Sequence, residues 1–381
     1  MIAFLIGALD VRGGTHKQLL KLIEYTEKQG VDFYIVTFKL DLEHTYPEFK
    51  RYKDKIRVVE YRKRMTVIGK IFQIIQVTKK LRDITSDASI INIHDPGFEL
   101  FLGAFKGKTV IWQVNDLPSV FRVGVSKTSK ITFKQKLRKR ITCYNLKFVD
   151  EYVVNVTKNA DRIKDCFNRE AHVFYCGIEP VGIRKNIETT FNRFNDKKVN
   201  ILTSGVFFPY RNYETQISVI QNLRAKGIDA NLHVIGKTES NPQYALKIAS
   251  LIKEKELNDY ITICGQVDER RFKQLHSDSD IFIFINIDQS WGLAVFEAMS
   301  SGLPVIVSES VGATEILHNG VDSIFVNPLD EDEIVRQIER LINDKDLYTK
   351  LSEVSSSFYL DYTWDNAYCS KMFNLLSQYL K

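Results

Sequence analysis

The sequence predicts an α/β fold made of two doubly wound, Rossmann-like domains. Short β-branched runs alternate with amphipathic stretches of helical period, and this alternation, which is typical of a parallel sheet covered by helices, occurs twice along the chain. At about 150 residues per domain, 381 residues allow two or three domains. With 44% hydrophobic and 26% charged residues, the composition is globular and excludes a disordered, collagenous or coiled-coil chain.

The first domain is predicted over residues 1–182. Its helices include residues 16–28 and 67–82. The predicted strands lie near residues 2–7, 33–38, 56–61, 90–93, 109–114, 152–156 and 172–175. The first run lacks a basic leader and continues into Asp10, so it indicates a strand and not a signal peptide.

A polar segment, residues 183–198, is predicted to be a linker because the hydrophobic pattern lapses there. The second domain then covers residues 199–362. Its strands are predicted at residues 199–205, 231–236, 261–264, 281–285, 305–308 and 324–326. A final helix in residues 363–381, capped by Thr363, is expected to pack back toward the first domain.

Ligands of open α/β sheets bind beyond the carboxyl ends of the strands, so two such domains predict an interdomain cleft. Strand one is followed by Arg12-Gly13-Gly14-Thr15 and a helix. The glycines allow close approach of a ligand, although a tight turn explains them equally well. The loop is not Gly-x-Gly-x-x-Gly and no acidic residue closes strand two, which disfavours a dinucleotide site of the NAD type.

The most informative segment runs from Gln289 to Met299 and contains Gly292 and Glu297. A strand is predicted to end near Ile285 and a helix to begin near Gly292. Glu297 then lies about 7.5 Å along that helix. A carboxylate there can accept both hydroxyls of a ribose while the helix N-terminus faces a diphosphate.

This segment resembles the signature of glycosyltransferase family 4, whose members are retaining enzymes of the GT-B fold. The family pattern is Glu, seven residues, Glu, with glycine three positions after the first; here Gln289, Gly292 and Glu297 hold these positions. Further short segments that match the family are spread along nearly the whole chain. They are Gly13-Gly14, His94-Asp95-Pro96, Gly177-Ile178-Glu179, Gly205 through Arg211, and Gly312-Ala313-Thr314-Glu315.

The resemblance implies a role for each matching position. Glu297 would hold the ribose of a sugar nucleotide, and Arg211, at the place of a family lysine, would neutralise the departing diphosphate. A solvated surface cation and an exposed helix carboxylate are the plain structural alternatives. The implied donor-binding residues are Gly13, Gly14, Gly205, Arg211, Ser290, Gly292, Leu293 and Glu297. The implied catalytic residues are Gln289, Asn115, Asp116 and His94; a structural His94 beside an Asp95-capped turn is the alternative.

Three positions depart from the family. Gln289 replaces a glutamate that touches the transferred sugar, Val206 replaces an arginine that meets the diphosphate, and Asn115 replaces a histidine near the donor sugar. Amides form hydrogen bonds but do not act as a general base near neutral pH. We therefore expect either slow turnover or a donor sugar other than glucose or mannose, such as a deoxy sugar.

No metal and no cofactor are expected, and the substrate is expected to be a nucleotide sugar of the UDP or GDP type. Asp278-Ser279-Asp280 mimics the manganese motif of the other large glycosyltransferase fold but falls at an ordinary helix-to-strand junction of family 4. The five cysteines are far apart and odd in number, which suits neither a disulfide framework nor a zinc site.

Charge divides the chain unequally. Residues 1–200 carry 37 Lys and Arg against 22 Asp and Glu, a net of +15, whereas residues 201–381 have a net of −9. Residues 127–147 combine cations with apolar residues at helical spacing, which suits an anionic membrane surface or, equally, a helix with a solvated basic face. No recognition motif for nucleic acid accompanies the positive charge, so nucleic acid is not an expected partner.

The sequence thus predicts a retaining, hexosyltransferase-like enzyme that moves a sugar from a nucleoside diphosphate to a glycan or lipid-linked acceptor in cell-surface polysaccharide or glycoconjugate synthesis. The expected location is the cytoplasm, either free or attached peripherally to the inner face of the membrane. A sugar-nucleotide epimerase of the same fold and a catalytically weak sugar-nucleotide-binding subunit are the alternatives.

Overall fold

The computed structural model describes residues 1–62, 66–115, 121, 133–183, 186–288 and 291–380. The chain forms two compact units: unit 1 is Met1–Gly177 with Trp364–Lys381, and unit 2 is Ile178–Thr363. Each unit has one parallel β-sheet with helices, so the predicted fold class, two doubly wound α/β domains, is confirmed.

Unit 1 contains a seven-stranded parallel sheet. Its strands are β1 (Ile2–Leu5), β2 (Phe33–Thr37), β3 (Ile56–Val58), β4 (Ile90–Ile93), β5 (Thr109–Gln113), β6 (Glu151–Val154) and β7 (His172–Val173). Its first helices are α1 (Gly14–Lys28), α2 (Val67–Ile84), α3 (Phe133–Asn145) and α4 (Thr157–Phe167). The strand order β3-β2-β1-β4-β5-β6-β7 reverses direction between β1 and β4. Such a reversal leaves a crevice at the carboxyl ends of those two strands.

The sequence explains this sheet. The runs Ile-Ala-Phe-Leu in β1 and Ile-Ile-Asn-Ile in β4 are buried throughout, as expected for central parallel strands covered by helices on both faces. Short edge strands end where the apolar runs end: β3 and β7 have three and two residues. The chain returns to unit 1 through a π-helical turn, Asp365–Cys369, that continues into the chain's last helix, which spans Ser370–Ser377.

Unit 2 repeats the plan with six strands. They are β8 (Lys198–Ser204), β9 (Asp229–Ile235), β10 (Ile261–Gly265), β11 (Ile281–Phe284), β12 (Val305–Ser308) and β13 (Ile324–Val326). The helices are α5 (Ile187–Asn195), α6 (Tyr213–Ala225), α7 (Pro242–Glu254), α8 (Glu269–Asp278), α9 (Leu293–Ser300), α10 (Glu331–Asn343) and α11 (Lys345–Phe358). The order β10-β9-β8-β11-β12-β13 reverses between β8 and β11.

Residues 183–198, predicted to be a linker, contain α5 and the first residue of β8. The helix begins after Asn186, whose side chain accepts a hydrogen bond from the Thr189 amide, and it buries Phe194 in the core of unit 2. Arg193 pairs with the buried Asp280. The hydrophobic pattern lapses in this segment because its one short helix has a narrow apolar face with few hydrophobic residues.

Candidate functional site

In unit 2, the carboxyl ends of β8 and β11 lie side by side, because the two strands are paired in parallel. Gly205 and the short helical turn Pro209–Arg211 follow β8, and the loop to α9 follows β11. The two loops are joined by a hydrogen bond from the Ile287 amide to the Tyr210 carbonyl oxygen, 2.8 Å long. This switch point brings Gly205, Arg211, Gly292, Leu293 and Glu297 to one end of the unit 2 sheet.

Arg211 folds back over Gly205. A β-carbon built on Gly205 would lie 2.7 Å from the Arg211 Cζ atom, so only glycine leaves room for the guanidinium. The guanidinium carbon lies 5.4 Å from the ring centre of Phe284 and 5.3 Å from that of Tyr210. The Arg211 Nε atom is buried and has no hydrogen-bond partner in the described part of the chain. The aromatic rings and Gly205 thus fix the position of the Arg211 guanidinium, and its Nε–H group remains available to a ligand.

Gly292 directly precedes α9 and has a left-handed conformation with φ of +92°, which favours glycine. A β-carbon there would lie 3.1 Å from both Phe284 and Val311. No side chain of the described residues caps the helix, and among those residues the amides of Leu293 and Ala294 are open to an anion, whereas the Val295 amide donates to the Gly292 carbonyl oxygen.

Glu297 is half-buried on α9, between buried neighbours that include Phe296 and Ala298. Its backbone oxygen accepts hydrogen bonds from the hydroxyls of Ser300 and Ser301. Gln289 and Ser290, the remaining predicted positions of this segment, lie outside the described residues.

Three residues that the sequence pattern did not single out also shape this end of unit 2. Ser308 and Ser310 share a hydrogen bond of 2.7 Å, and Ser310 donates to the Asn286 carbonyl oxygen. Asn286 is 2% exposed, and its side-chain amide nitrogen has no partner among the described residues. The position of Asn286, two residues after the end of β11, was the available signal, since ligands of such sheets bind beyond the carboxyl ends of the strands.

In unit 1, Asn115 belongs to a hydrogen-bond network at the carboxyl end of β5. Its amide nitrogen donates to the Gln18 Oε1 atom at 2.8 Å and to the Thr15 hydroxyl at 3.2 Å. Its oxygen accepts from Gln113, which in turn accepts from the Tyr368 hydroxyl. Because both amide protons are committed, Asn115 can offer a ligand only a carbonyl lone pair. Asp116, its predicted catalytic neighbour, lies outside the described residues.

The same network positions the first glycine loop. Gly13 caps α1 with extended backbone, Gly14 is the first residue of the helix, and Thr15 and Gln18 bind Asn115. The His16 ring lies beside Gly13 and contacts the Ala8 carbonyl oxygen at 2.8 Å. Gly13, Gly14 and Asn115 therefore lie together in unit 1.

His94 directly follows β4 and is 1% exposed. Its Nε2 atom bonds the Asn92 side chain at 2.7 Å, and its buried Nδ1 atom has no partner in the described regions. Burial lowers the pKa of His94 to about 3, so the ring is neutral near pH 7. Asp95 accepts a hydrogen bond from the Gly97 amide, as expected for a capped turn.

Asp280 of the Asp278-Ser279-Asp280 segment is fully buried. It pairs with Arg193 and accepts a hydrogen bond of 2.9 Å from the Asn200 amide. This carboxylate therefore anchors α5 and β8. Over the described ranges, no group of three or more His, Cys, Asp or Glu side chains could hold a metal ion.

The basic segment 127–147 is described only from residue 133 onward, where α3 begins. Leu137 and Tyr144 are 44% and 64% exposed, and the Lys147 amine lies 3.7 Å from the ring centre of Tyr144. Arg138 pairs with the buried carboxylate of Glu99. Among the described residues, no helix is both long enough and apolar enough to cross a bilayer.

Residues 185–357 match the family described as "Glycosyl transferases group 1". The chain is 30% identical over 158 residues to the O-antigen chain mannosyltransferase RfbU of Salmonella typhimurium, covering 40% of this chain and 42% of that protein. It is 22% identical over 187 residues to the lipopolysaccharide 1,2-N-acetylglucosaminetransferase of the same organism, covering 48% and 49%. The chain thus spans about half the length of the curated relatives it matches.

Solved structures match over the whole chain. Anabaena Alr3699/HepE in complex with UDP and glucose aligns with a TM-score of 0.77 at 13% identity, covering 99% of both chains. WaaG, a glycosyltransferase involved in lipopolysaccharide biosynthesis, aligns with a TM-score of 0.71 at 13% identity, covering 99% of this chain and 100% of that one. At this identity the likeness concerns the fold, which is that of GT-B glycosyltransferases. Together with the family match, it supports the predicted glycosyltransferase character; membership of family 4 and retention of configuration stay predictions.

Proposed function

We propose that this chain, whose residues 185–357 match the glycosyl transferases group 1 family, is a retaining glycosyltransferase of family 4. It moves a sugar from a nucleoside diphosphate sugar to a glycan or lipid-linked acceptor in cell-surface polysaccharide or glycoconjugate synthesis. The relatives that act on O-antigen and lipopolysaccharide support this assignment. Unit 2 binds the donor and unit 1 the acceptor.

One observation carries the proposal: at the switch point of the unit 2 sheet lie a buried Arg211 Nε atom and the start of α9, and within the described ranges neither the atom has a hydrogen-bond partner nor the helix a side-chain cap. Both favour anions, the first through its charge and the second through its open amides. A diphosphate placed there leaves Glu297, one to two turns along α9, to accept hydrogen bonds from the two ribose hydroxyls.

The same groups supply the chemistry. As the bond between the sugar and the diphosphate breaks, negative charge grows on the leaving oxygen, and Arg211 with the α9 amides stabilises that charge. Because Gln289 is no nucleophile, a front-face route fits best. In it, the acceptor oxygen bonds the anomeric carbon from the side that the diphosphate leaves, and a diphosphate oxygen takes the acceptor proton.

The donor is a UDP or GDP sugar. The transfer needs no metal, because Arg211 and the α9 amides stabilise the negative charge of the leaving diphosphate. By the family resemblance, Gln289 and Asn115 replace residues that act near the transferred sugar, and Val206 replaces an arginine that meets the diphosphate. We therefore propose a sugar other than glucose or mannose, such as a deoxy sugar. A clear preference for UDP-glucose or GDP-mannose would reject this part of the proposal.

A thermal-shift panel of UDP, GDP, ADP and dTDP sugars tests the function. The true donor should raise the melting temperature, since a ligand present at 100 times its Kd stabilises the folded state by about 2.7 kcal/mol. Arg211→Gln and Glu297→Gln should remove most of the shift. Arg270→Gln, at an exposed arginine elsewhere in unit 2, is the matched control and should keep it.

No shift with any nucleotide sugar would contradict the proposal. A rise in melting temperature without sugar transfer to any acceptor extract would favour the catalytically weak binding subunit. The departures from the family pattern at Gln289, Val206 and Asn115 are the reason to consider that alternative. A new sugar nucleotide formed without acceptor would identify an epimerase.

We further propose that residues 127–147 hold the enzyme at the inner face of an anionic membrane. Tyr144 and Leu137 are exposed beside Lys147 and other cations, as in helices that lie at bilayer surfaces. Flotation with anionic and neutral vesicles at two salt concentrations tests this. Binding that is indifferent to lipid charge and salt would rule out the electrostatic attachment.

A further inference from the structure

Helix α2 of unit 1 exposes an apolar face that no described residue covers. Ile68, Ile71, Phe72 and Ile75 are 69%, 53%, 61% and 60% exposed. Their spacing of three, four and seven residues puts them on one side of the helix. The opposite side is buried through Val77 and Leu81.

The packing explains which side is free. The buried side of α2 contacts the short helical turn Leu102–Phe105 of unit 1, so the helix is already held by its other face. A contiguous exposed apolar surface of this kind on a globular unit indicates a site that contacts another protein or a membrane.

The exposed side becomes cationic toward the C-terminus of α2. Lys79 and Arg82 are exposed and follow Ile68 by 11 and 14 residues, which returns them to the same face. Lys80 and Asp83 are exposed there as well; Asp83 lies only about 40° from Lys79 around the helix, and the four exposed charges at positions 79, 80, 82 and 83 sum to +2. Residues 1–177 and 364–381 together carry 34 Lys and Arg against 20 Asp and Glu, a net charge of +14. Apolar side chains thus stand next to cations on a positively charged unit.

Two occupants compete for this face. A second copy of the chain would bring the same cations against each other, and stable protein interfaces use about 20–30 residues on each side, far more than four side chains. An anionic bilayer offers acyl chains to the apolar side chains and phosphates to the cations. Helices of this composition lie in the plane of the bilayer surface with their apolar face immersed.

We propose that α2 is a membrane-docking helix: Ile68, Ile71, Phe72 and Ile75 enter the acyl region of an anionic bilayer while Lys79 and Arg82 meet its phosphates. This inference uses residues outside the 127–147 segment. The role of the docking rests on the proposed function: it would bring unit 1 to a lipid-linked acceptor in the membrane.

Vesicle co-sedimentation of the full chain tests the proposal. Vesicles of phosphatidylcholine with 30% phosphatidylglycerol are compared with pure phosphatidylcholine. The wild type should bind the anionic vesicles, and Phe72→Ser with Ile75→Ser should weaken binding about tenfold or more. Lys79→Gln with Arg82→Gln should weaken binding chiefly at low salt.

Matched controls come from unit 2. Leu246→Ser alters an apolar side chain that is 69% exposed, as Ile68 is, and Lys253→Gln alters an exposed lysine on the same helix. Both controls should bind vesicles like the wild type. Circular dichroism checks that every variant is folded, and the thermal shift with the donor nucleotide checks the proposed function separately.

Three results would overturn the docking proposal. The wild type could fail to bind anionic vesicles, or the Phe72→Ser and Ile75→Ser variant could bind them as the wild type does. In the third case the wild type is a dimer in size-exclusion chromatography and this variant a monomer, which would assign the face to a second copy of the chain.

Discussion

Among single residues, Gly205 and Arg211 give the sharpest prediction. Gly205→Ala adds a β-carbon 2.7 Å from the Arg211 Cζ atom, and the end of that flexible side chain can move away. We expect a loss of affinity for the donor nucleotide of about tenfold or more, because Arg211 no longer faces the diphosphate, with a stability change below about 1 kcal/mol. Calorimetric titration and urea unfolding measure the two effects.

Gly236→Ala is the contrasting variant. Its β-carbon would lie 1.8 Å from the Gly205 carbonyl oxygen, which belongs to the backbone and cannot turn aside. We expect a loss of stability of about 3 kcal/mol, the upper end of overpacking costs. Equal stability losses in the two variants would contradict this account of the glycine pair.

His94 makes stability depend on pH. Its pKa is about 3 in the folded chain against 6.5 for the free side chain, because burial disfavours the charged ring. Between these values the unfolded chain binds a proton that the folded chain does not. As far as His94 is concerned, the free energy of unfolding is therefore highest above about pH 6.5 and decreases as the pH falls toward 3.

Replacing His94 removes this dependence. His94→Gln should show a shallower decline of stability between pH 7 and pH 4.5 than the wild type, measured by urea unfolding across that range. Parallel declines would show that His94 does not contribute.

The residues differ in how far the sequence could predict them. The spacing of Gly292 and Glu297 was visible because both lie on one local helix. The commitment of Asn115 to Gln18 was not, because the partners are 97 residues apart and meet only when β5 and α1 pack. The burial of His94 was equally hidden, since a strand-end position suits both an exposed and an enclosed side chain.

At the level of elements, α5 was the main difference between prediction and structure. Its connection to the sheet depends on Arg193, which pairs with the fully buried Asp280. Arg193→Gln should lower stability by about 2–3 kcal/mol, because it leaves a buried carboxylate without its cation. The effect stays below the largest values for buried pairs since Asn200 still donates to Asp280.

Urea unfolding of Arg193→Gln beside Arg336→Gln measures this effect. Arg336 is exposed on α10 and serves as the matched control, for which we expect a change within about 0.5 kcal/mol. Similar stabilities of the two variants would mean that the Arg193 pair contributes little to holding α5.

The strands were predicted well because central parallel strands are continuous apolar runs, as β1, β4 and β11 show. Helix α2 was also predicted, but its exposed apolar face was not. Periodicity shows that a helix has an apolar side, whereas only the packing shows that Ile71 and Phe72 lie on the side left uncovered.

For the whole molecule, repetition of the βα pattern predicted two doubly wound units, and the switch point of each sheet follows from its strand order. The unequal charge of the two halves agrees with the proposed membrane contact of unit 1, whereas donor binding in unit 2 depends on local groups such as Arg211 and not on net charge. Which nucleotide and sugar are bound could not be predicted, since a few side chains at strand ends decide both.

The central claim is that unit 2 binds a nucleoside diphosphate sugar between Arg211 and the start of α9. Hydrogen exchange with mass spectrometry tests it most directly, with UDP or GDP, whichever raises the melting temperature. We expect slower exchange in peptides covering residues 203–212 and 291–298, and no change in α8. Saturating nucleotide that leaves both peptides unprotected, with protection confined to unit 1, would contradict it.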